Sequence, residues 1–227
     1  MKIKHYSIFS ELSESKINWD TLRENKYESQ YFIPNNIDDY NLISDNEDYK
    51  NIVDKTINFI EENNIKRIFS IGSGRAIFEY NLKIKTMLHT TISDITNSIF
   101  KIKKFNIFDE VLLIDITKDI NLSIYPNTLM ILPRIDTELS DQQMHDLFNQ
   151  LNNKKVKYLL FIPAQLLTIR SLLIQFYIYL KSIITNKKLV DCGYSRNKYR
   201  FIKLWKKHYV IEKSYKFKYV FLKNNNI

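Results

Sequence analysis

Apolar positions recur along this chain with a helical period in some stretches and as short continuous runs in others, and the two kinds of stretch alternate. Ser44-Asp45-Asn46-Glu47 has a capping-box pattern, and Ile52, Val53, Thr56, Ile57 and Ile60 follow it at helical spacing. This predicts a helix from Asp45 to Glu62, ended by Asn63-Asn64. Arg67 to Ile71 then reads as a short buried strand, Ala76 to Lys85 as a helix, Leu88 to Ser93 as a strand and Asn97 to Lys103 as a short helix. Strands are expected over Glu110 to Ile116 and Thr128 to Pro133. A second capping box, Ser140-Asp141-Gln142-Gln143, opens a helix through Leu151 with Met144, Leu147, Phe148 and Leu151 on one face. Val156 to Ile162 is a continuous apolar strand ended by Pro163. Asn197 to His208 reads as a helix with Phe201, Ile202 and Trp205 facing in, and Tyr209 to Lys223 alternates like a strand pair. Strands apolar on both faces and separated by helices imply a parallel sheet covered on both sides, here with an antiparallel edge. Residues 1 to about 44 are polar, tyrosine-rich and weakly periodic, with a helix expected from Glu14 to Lys26.

Composition narrows the class without naming it. At 27.3 kDa, with 44% hydrophobic and 26% charged residues, the chain suits one domain with an appendage. Its single cysteine, Cys192, excludes an intrachain disulfide and a multi-cysteine zinc site. No apolar segment follows Met1, since Lys2, Lys4 and His5 break the start, so no signal peptide is expected and a cytoplasmic location is. The longest apolar run, Leu166 to Thr185, is interrupted by Arg170, Gln175 and Lys181. It falls short of a spanning helix and reads as a largely buried or lid-forming one, with a dimer-forming or membrane-surface role as the alternative. The net charge of +9 is concentrated from Lys187 onward, where only Asp191 and Glu212 oppose twelve basic residues. That third suits an acidic substrate, a nucleic acid or anionic lipid, or is simply a set of solvated lysines.

The chain has three glycines, and two of them are two apart in Ile68-Phe69-Ser70-Ile71-Gly72-Ser73-Gly74-Arg75-Ala76. A strand, a Cβ-free turn and a helix N-terminus together form a nucleotide-binding corner, where open N–H groups and the helix dipole meet a ligand. The dinucleotide pattern G-x-G-x-x-G would place its third glycine at Ile77, and a branched residue there argues against it. The spacing G-x-G-x-A, ending at Ala76, is similar to the first motif of the class I S-adenosylmethionine-dependent methyltransferases, and the resemblance runs from about Ile65 to the C-terminus.

The resemblance implies an α/β fold: a doubly wound, mostly parallel seven-stranded sheet with an antiparallel C-terminal edge strand, helices on both faces, and an N-terminal helical cap. Residues 1–44 would form the cap and 45–227 the cofactor domain. It further implies that Ser70, Gly72, Ser73, Gly74 and Glu79 cradle the methionine end of S-adenosylmethionine. Asp94, 20 residues after Gly74, would bind the ribose hydroxyls beside Ile95; Asp115 and Ile116 would contact adenine; Pro133, Arg134 and Asp136 would line the sulfonium and the substrate. Ser195-Arg196 resembles the Arg-Ser element before the last helix of many small-molecule members. Two departures stand out: Ser70 replaces an acid at the end of the first strand, and Ala76 replaces glycine. Asp136, Glu138 and His145 are the candidate bases, Asp136 foremost, and Tyr27, Tyr31 and Tyr40 either wall the acceptor or pack a covering helix. The sequence holds no Asp/Asn-Pro-Pro-Tyr/Phe tetrapeptide after the fourth strand, no cysteine at a strand-four nucleophile position and no acid–asparagine set of the magnesium-dependent catechol type, so no metal is expected. The expected acceptor is a small molecule or glycan precursor, methylated on O or N and anionic in keeping with the basic C-terminal third. The alternatives are an RNA-directed methyltransferase, a catalytically inactive binding protein of the same fold, and an aminocarboxypropyl transferase using the same cofactor.

Overall fold

The computed structural model describes residues 2–6, 19–24, 31–45, 50–118, 124–164, 166–185 and 189–227. Most of the helix expected over Glu14 to Lys26, Tyr27, and residues 46–49, which include Asn46 and Glu47 of the first capping box, lie outside them.

Ordered by sequence, the elements are β1 (Lys2–Tyr6), α1 (Trp19–Glu24), α2 (Ile37–Ser44), α3 (Lys50–Glu62), β2 (Arg67–Ile71), α4 (Ile77–Thr86), β3 (His89–Asp94), α5 (Ile99–Lys103) and β4 (Glu110–Leu113). They continue with β5 (Thr128–Pro133), α6 (Asp141–Asn153), β6 (Tyr158–Ile162), α7 (Ile169–Thr185), β7 (Leu189–Tyr194), α8 (Lys198–Trp205), β8 (Tyr209–Tyr215) and β9 (Tyr219–Asn224). A seven-stranded sheet runs in the order β4-β3-β2-β5-β6-β9-β8. The first five strands pair parallel, and β9 pairs antiparallel with both β6 and β8. The reversed strand therefore sits one place in from the edge.

The continuous apolar strands are explained by two buried faces. On β5, Leu129 and Ile131 pack with Ile52, Val53 and Phe59 of α3 and Phe78 and Leu82 of α4. Met130 and Leu132, one residue out of phase, pack with Met144, Leu147 and Phe148 of α6 and Phe201 and Trp205 of α8. Successive side chains point to opposite faces, so a strand covered on both sides has no polar position to give. The second capping box forms as expected: Ser140 Oγ accepts from the Gln143 N–H at 3.2 Å, and Gln143 Oε1 accepts from the Ser140 N–H at 2.8 Å.

Four expectations need correction. Ser44 does not open α3: it is the last residue of α2, and its hydroxyl donates to the Tyr40 carbonyl at 2.7 Å. Fully buried Tyr40, in a cluster with Ile33, Ile77 and Ile102, anchors α2, so tertiary packing overrides the local capping pattern. β4 ends at Leu113 and not at Ile116. The N-terminal segment is not purely helical, because β1 pairs antiparallel with β7 in a separate two-stranded sheet. Finally, α7 starts at Ile169, after Leu166 bridges to Arg196, and it is not buried: Leu173, Phe176, Tyr177 and Ile184 are each more than half exposed.

Candidate functional site

The sheet order reverses direction between β2 and β5, and a crevice opens at such a switch point outside the carboxyl ends of the strands. The glycine corner lies there. Gly72 and Gly74 have φ of +76° and +58°, and the Gly72 and Ser73 N–H groups both donate to the Ser93 carbonyl, at 2.8 and 2.9 Å. A Cβ on Gly72 would lie 2.4 Å from Ile135 Cγ2, so glycine is required both for its backbone and for the approach of the loop after β5. Ala76 also has a positive φ, +53°, directly before α4. From outside the turn, the Tyr40 hydroxyl donates to the Arg75 carbonyl at 2.7 Å. Tyr40 is thus a packing residue that supports the corner, not a wall of the crevice.

Asp94 ends β3 and is joined to the glycine turn, its Oδ2 accepting from the Gly74 N–H at 2.9 Å. Its Oδ1 accepts from the Thr96 N–H at 3.1 Å and the Thr96 hydroxyl at 2.8 Å. The Arg23 guanidinium, from α1, closes on the same carboxylate as a fork: Nη1 to Oδ1 at 2.9 Å and Nη2 to Oδ2 at 3.1 Å. Nη1 also donates to the hydroxyls of Thr96 and, at 3.0 Å, Ser98. The Asp20 carboxylate accepts from the Ser98 N–H at 3.0 Å, which docks α1 from a second point. The Trp19 side chain bonds to Glu138 and meets Tyr31 edge-on at 5.5 Å, so α1 reaches from the end of β3 to the loop after β5. Burial pushes the Asp94 carboxyl up, but the Arg23 charge and the surrounding donors outweigh burial and hold it below the usual carboxylate range.

Ser70, at 0% exposure, donates its hydroxyl to Glu79 Oε1 at 2.5 Å. A carboxyl from the first turn of α4 therefore stands beside the strand-end position that carries serine in place of an acid. Burial lifts the Glu79 carboxyl from 4.5 to about 7, against the Ser70 hydrogen bond and aided by the charge of Asp94. Ser73 is buried and its hydroxyl points to the Ser70 carbonyl at 3.4 Å.

Beyond β5 the chain makes a 3₁₀ turn, Ile135–Thr137. Asp136 is fully buried in it, with Oδ1 accepting from the Ala164 N–H at 2.9 Å and Oδ2 meeting no donor among the described residues. Burial raises this carboxyl from 3.8 to about 6, against the Ala164 bond and the charges of Arg196 and Arg134. Arg196 clamps the loop: its guanidinium donates to the carbonyls of Asp136 and Leu139 and to Asp141 Oδ1, the last at 2.6 Å. The Ser195-Arg196 element thereby positions Asp136.

Ser70, Gly72, Ser73, Gly74, Glu79 and Asp94 are thus brought into one hydrogen-bonded group, with Asp136 joined to it through the Gly72–Ile135 contact. The remaining expected residues are more loosely placed. Ile95 is 56% exposed. The Asp115 carboxylate is turned back onto the N–H and hydroxyl of Thr117, and Ile116 is half-buried against the core. Pro133 ends β5, and Arg134 is exposed with φ of +57°. Sequence reasoning missed Arg23, Asp20 and Ser98. Thr96 was open to discovery, because Asp-x-Thr is an Asx-turn signature.

No family model and no curated protein sequence matches this chain. Solved structures do. A protein from Pyrococcus horikoshii OT3, PH0226, is 14% identical with a TM-score of 0.57, covering 80% of this chain and 92% of that one. Magnesium protoporphyrin IX methyltransferase from Synechocystis PCC 6803 with bound SAH is 12% identical with a TM-score of 0.55, covering 77% and 82%. Human N-acetylserotonin methyltransferase in complex with SAM is 15% identical with a TM-score of 0.51, covering 71% of this chain and 48% of its own, so this chain spans about half the length of that enzyme. With its strand order and glycine corner, the chain has the fold of the class I S-adenosylmethionine-dependent methyltransferases.

Proposed function

We propose that this protein is an S-adenosylmethionine-dependent methyltransferase acting on a small-molecule or glycan-precursor acceptor. The observation that carries the reading is the direct bond between the Gly74 N–H and the Asp94 carboxylate at the switch point of the sheet. It ties the glycine turn, whose Gly72, Ser73 and Gly74 N–H groups are all spent inside the protein, to a strand-end acid able to accept from a vicinal diol. In this reading Ser70, Gly72, Ser73, Gly74 and Glu79 cradle the methionine end, Asp94 takes the ribose hydroxyls, Ile95, Asp115 and Ile116 flank adenine, and Pro133 and Arg134 adjoin the sulfonium. Bound S-adenosylmethionine supplies an electrophilic methyl group for in-line transfer. The chain's own residues supply alignment and exclude water. Asp136 acts as the base: its Oδ2 meets no donor among the described residues, and a carboxyl poised at about 6 is ionised yet basic at neutral pH. The basic C-terminal third suits an anionic acceptor.

One observation favours a second reading, a binding protein that keeps the fold without catalysis. Arg23 already holds both oxygens of Asp94, and it lies 3.7 Å from where a Cβ on Gly74 would stand. On the methyltransferase reading α1 is a cap whose arginine leaves Asp94 when ribose takes its place. Calorimetric titration with S-adenosylmethionine and S-adenosylhomocysteine separates the two. Micromolar binding by wild type or by Arg23→Ala, lost in Asp94→Ala, is expected; no binding by either of the first two overturns the methyltransferase reading.

A further inference from the structure

The helix α7 is the most exposed apolar element in the described structure. It has 17 residues, about 25 Å at 1.5 Å per residue. At 100° per residue, Leu172, Leu173, Phe176, Tyr177, Leu180 and Ile184 fall within one arc of about 160° that contains no charge. These six are 41 to 83% exposed, and further large exposed residues fill the same arc. Ser171, on the opposite side, is buried, and α7 also lies beside β1. Arg170 and Lys181 lie at about 100° and 120° on the same wheel, along one rim of the arc. An uncharged face this wide is far above what a solvated helix carries, and marks a docking surface.

Charge selects the occupant. From Ile169 to Val190 the chain has no Asp or Glu and four basic residues, Arg170, Lys181, Lys187 and Lys188. A second copy is a poor fit, because pairing α7 with itself sets one basic, acid-free segment against another. Among the described residues no helix is long and apolar enough to cross a membrane. A broad apolar arc, rimmed by cations and edged by tyrosines, matches a helix lying in the plane of a bilayer surface rich in anionic headgroups.

We propose that α7 docks this protein on an anionic lipid surface. The helix begins three residues past the Leu166–Arg196 bridge, so the start of α7 is tied to the residue that holds the loop after β5. The proposal rests on no reading of the glycine corner and is tested without cofactor.

The test is co-sedimentation of the full chain with vesicles of phosphatidylcholine alone and of phosphatidylcholine with one quarter phosphatidylglycerol, at low and at physiological salt. Wild type is expected to bind the anionic vesicles at least about tenfold more tightly, less so as salt rises. Leu173→Ser/Phe176→Ser/Leu180→Ser changes exposed residues only, so its circular dichroism stays that of wild type while vesicle binding falls by about tenfold or more. Arg170→Gln/Lys181→Gln is expected to lose about 25-fold, at roughly fivefold per cation near the surface. Equal wild-type binding to the two vesicles, or undiminished binding by the serine variant, overturns the proposal. So does a wild-type dimer in sedimentation equilibrium that the serine variant abolishes while neither binds lipid, which would make the occupant a second copy.

Discussion

The pair Arg23–Asp94 should respond asymmetrically to the loss of either partner. Both side chains are nearly sealed, at 8% and 4% exposure. In Asp94→Asn the Arg23 charge stays buried without its counter-ion, and breaking a buried pair in this way costs about 3–5 kcal/mol. That figure is a ceiling, because the short helix α1 can lift away and let Arg23 hydrate. The loss then equals the docking energy of α1, and its amides exchange almost freely. In Arg23→Ala the carboxylate keeps three donors, the N–H groups of Gly74 and Thr96 and the Thr96 hydroxyl. Its loss is the charge-assisted fork, about 1.5–3 kcal/mol, partly recovered as water reaches Asp94. Ligand affinity should move the other way. If a ribose must displace Arg23, removing the arginine returns about 1–2 kcal/mol to binding, roughly a 5- to 30-fold tighter Kd for S-adenosylhomocysteine. Arg23→Lys keeps the charge without the fork and should fall between the two. Calorimetric titration at pH 7.5, with urea unfolding of the same samples, reads both quantities. Wild type binding at micromolar Kd while Arg23→Ala binds equally or more weakly would refute the displacement argument, and equal stability losses in the two variants would refute the buried-pair argument.

Three further outcomes follow from the same geometry. Glu79 is protonated in the fold up to about pH 7 but only to about 4.5 when unfolded, so its contribution is full below 4.5 and is lost as pH rises to 7. Urea midpoints should show wild type losing on the order of 3 kcal/mol across that window relative to Glu79→Gln; parallel profiles would show that Glu79 is not the group responsible. Gly72→Ala combines a positive-φ cost of about 1–2 kcal/mol with a Cβ 2.4 Å from Ile135 Cγ2, and should lose about 3 kcal/mol in all. A double-mutant cycle with Ile135→Ala should show coupling of about 1 kcal/mol or more, because that change removes the clashing methyl; strict additivity would contradict the contact. Ser140→Ala removes the N-cap of α6 and should cost about 1 kcal/mol in thermal unfolding, with no loss marking the cap as dispensable.

What the sequence determined by itself is local. The period of apolar residues in α3 and α6, the continuous runs of β2, β5 and β6, the Ser140 capping box and the glycine pair at the end of β2 all act within a few residues. Their physics of side-chain phase, N–H capping and positive φ is therefore complete in the string. The glycine spacing and Asp94 were legible for the same reason: a turn and the adjacent strand end are set by short-range geometry. Tertiary structure decided the rest. Arg23 reaches Asp94 across 71 residues, and nothing in the polar segment around it marks that partner. Ser44 had a capping pattern but was overruled when Tyr40 buried itself against Ile77 and Ile102 and carried α2 with it. Whether the apolar arc of α7 faced the core or solvent was not set by its composition, because a helix with one wide uncharged arc fits either place. Only the strands and helices packed beside it determine which of its faces is covered.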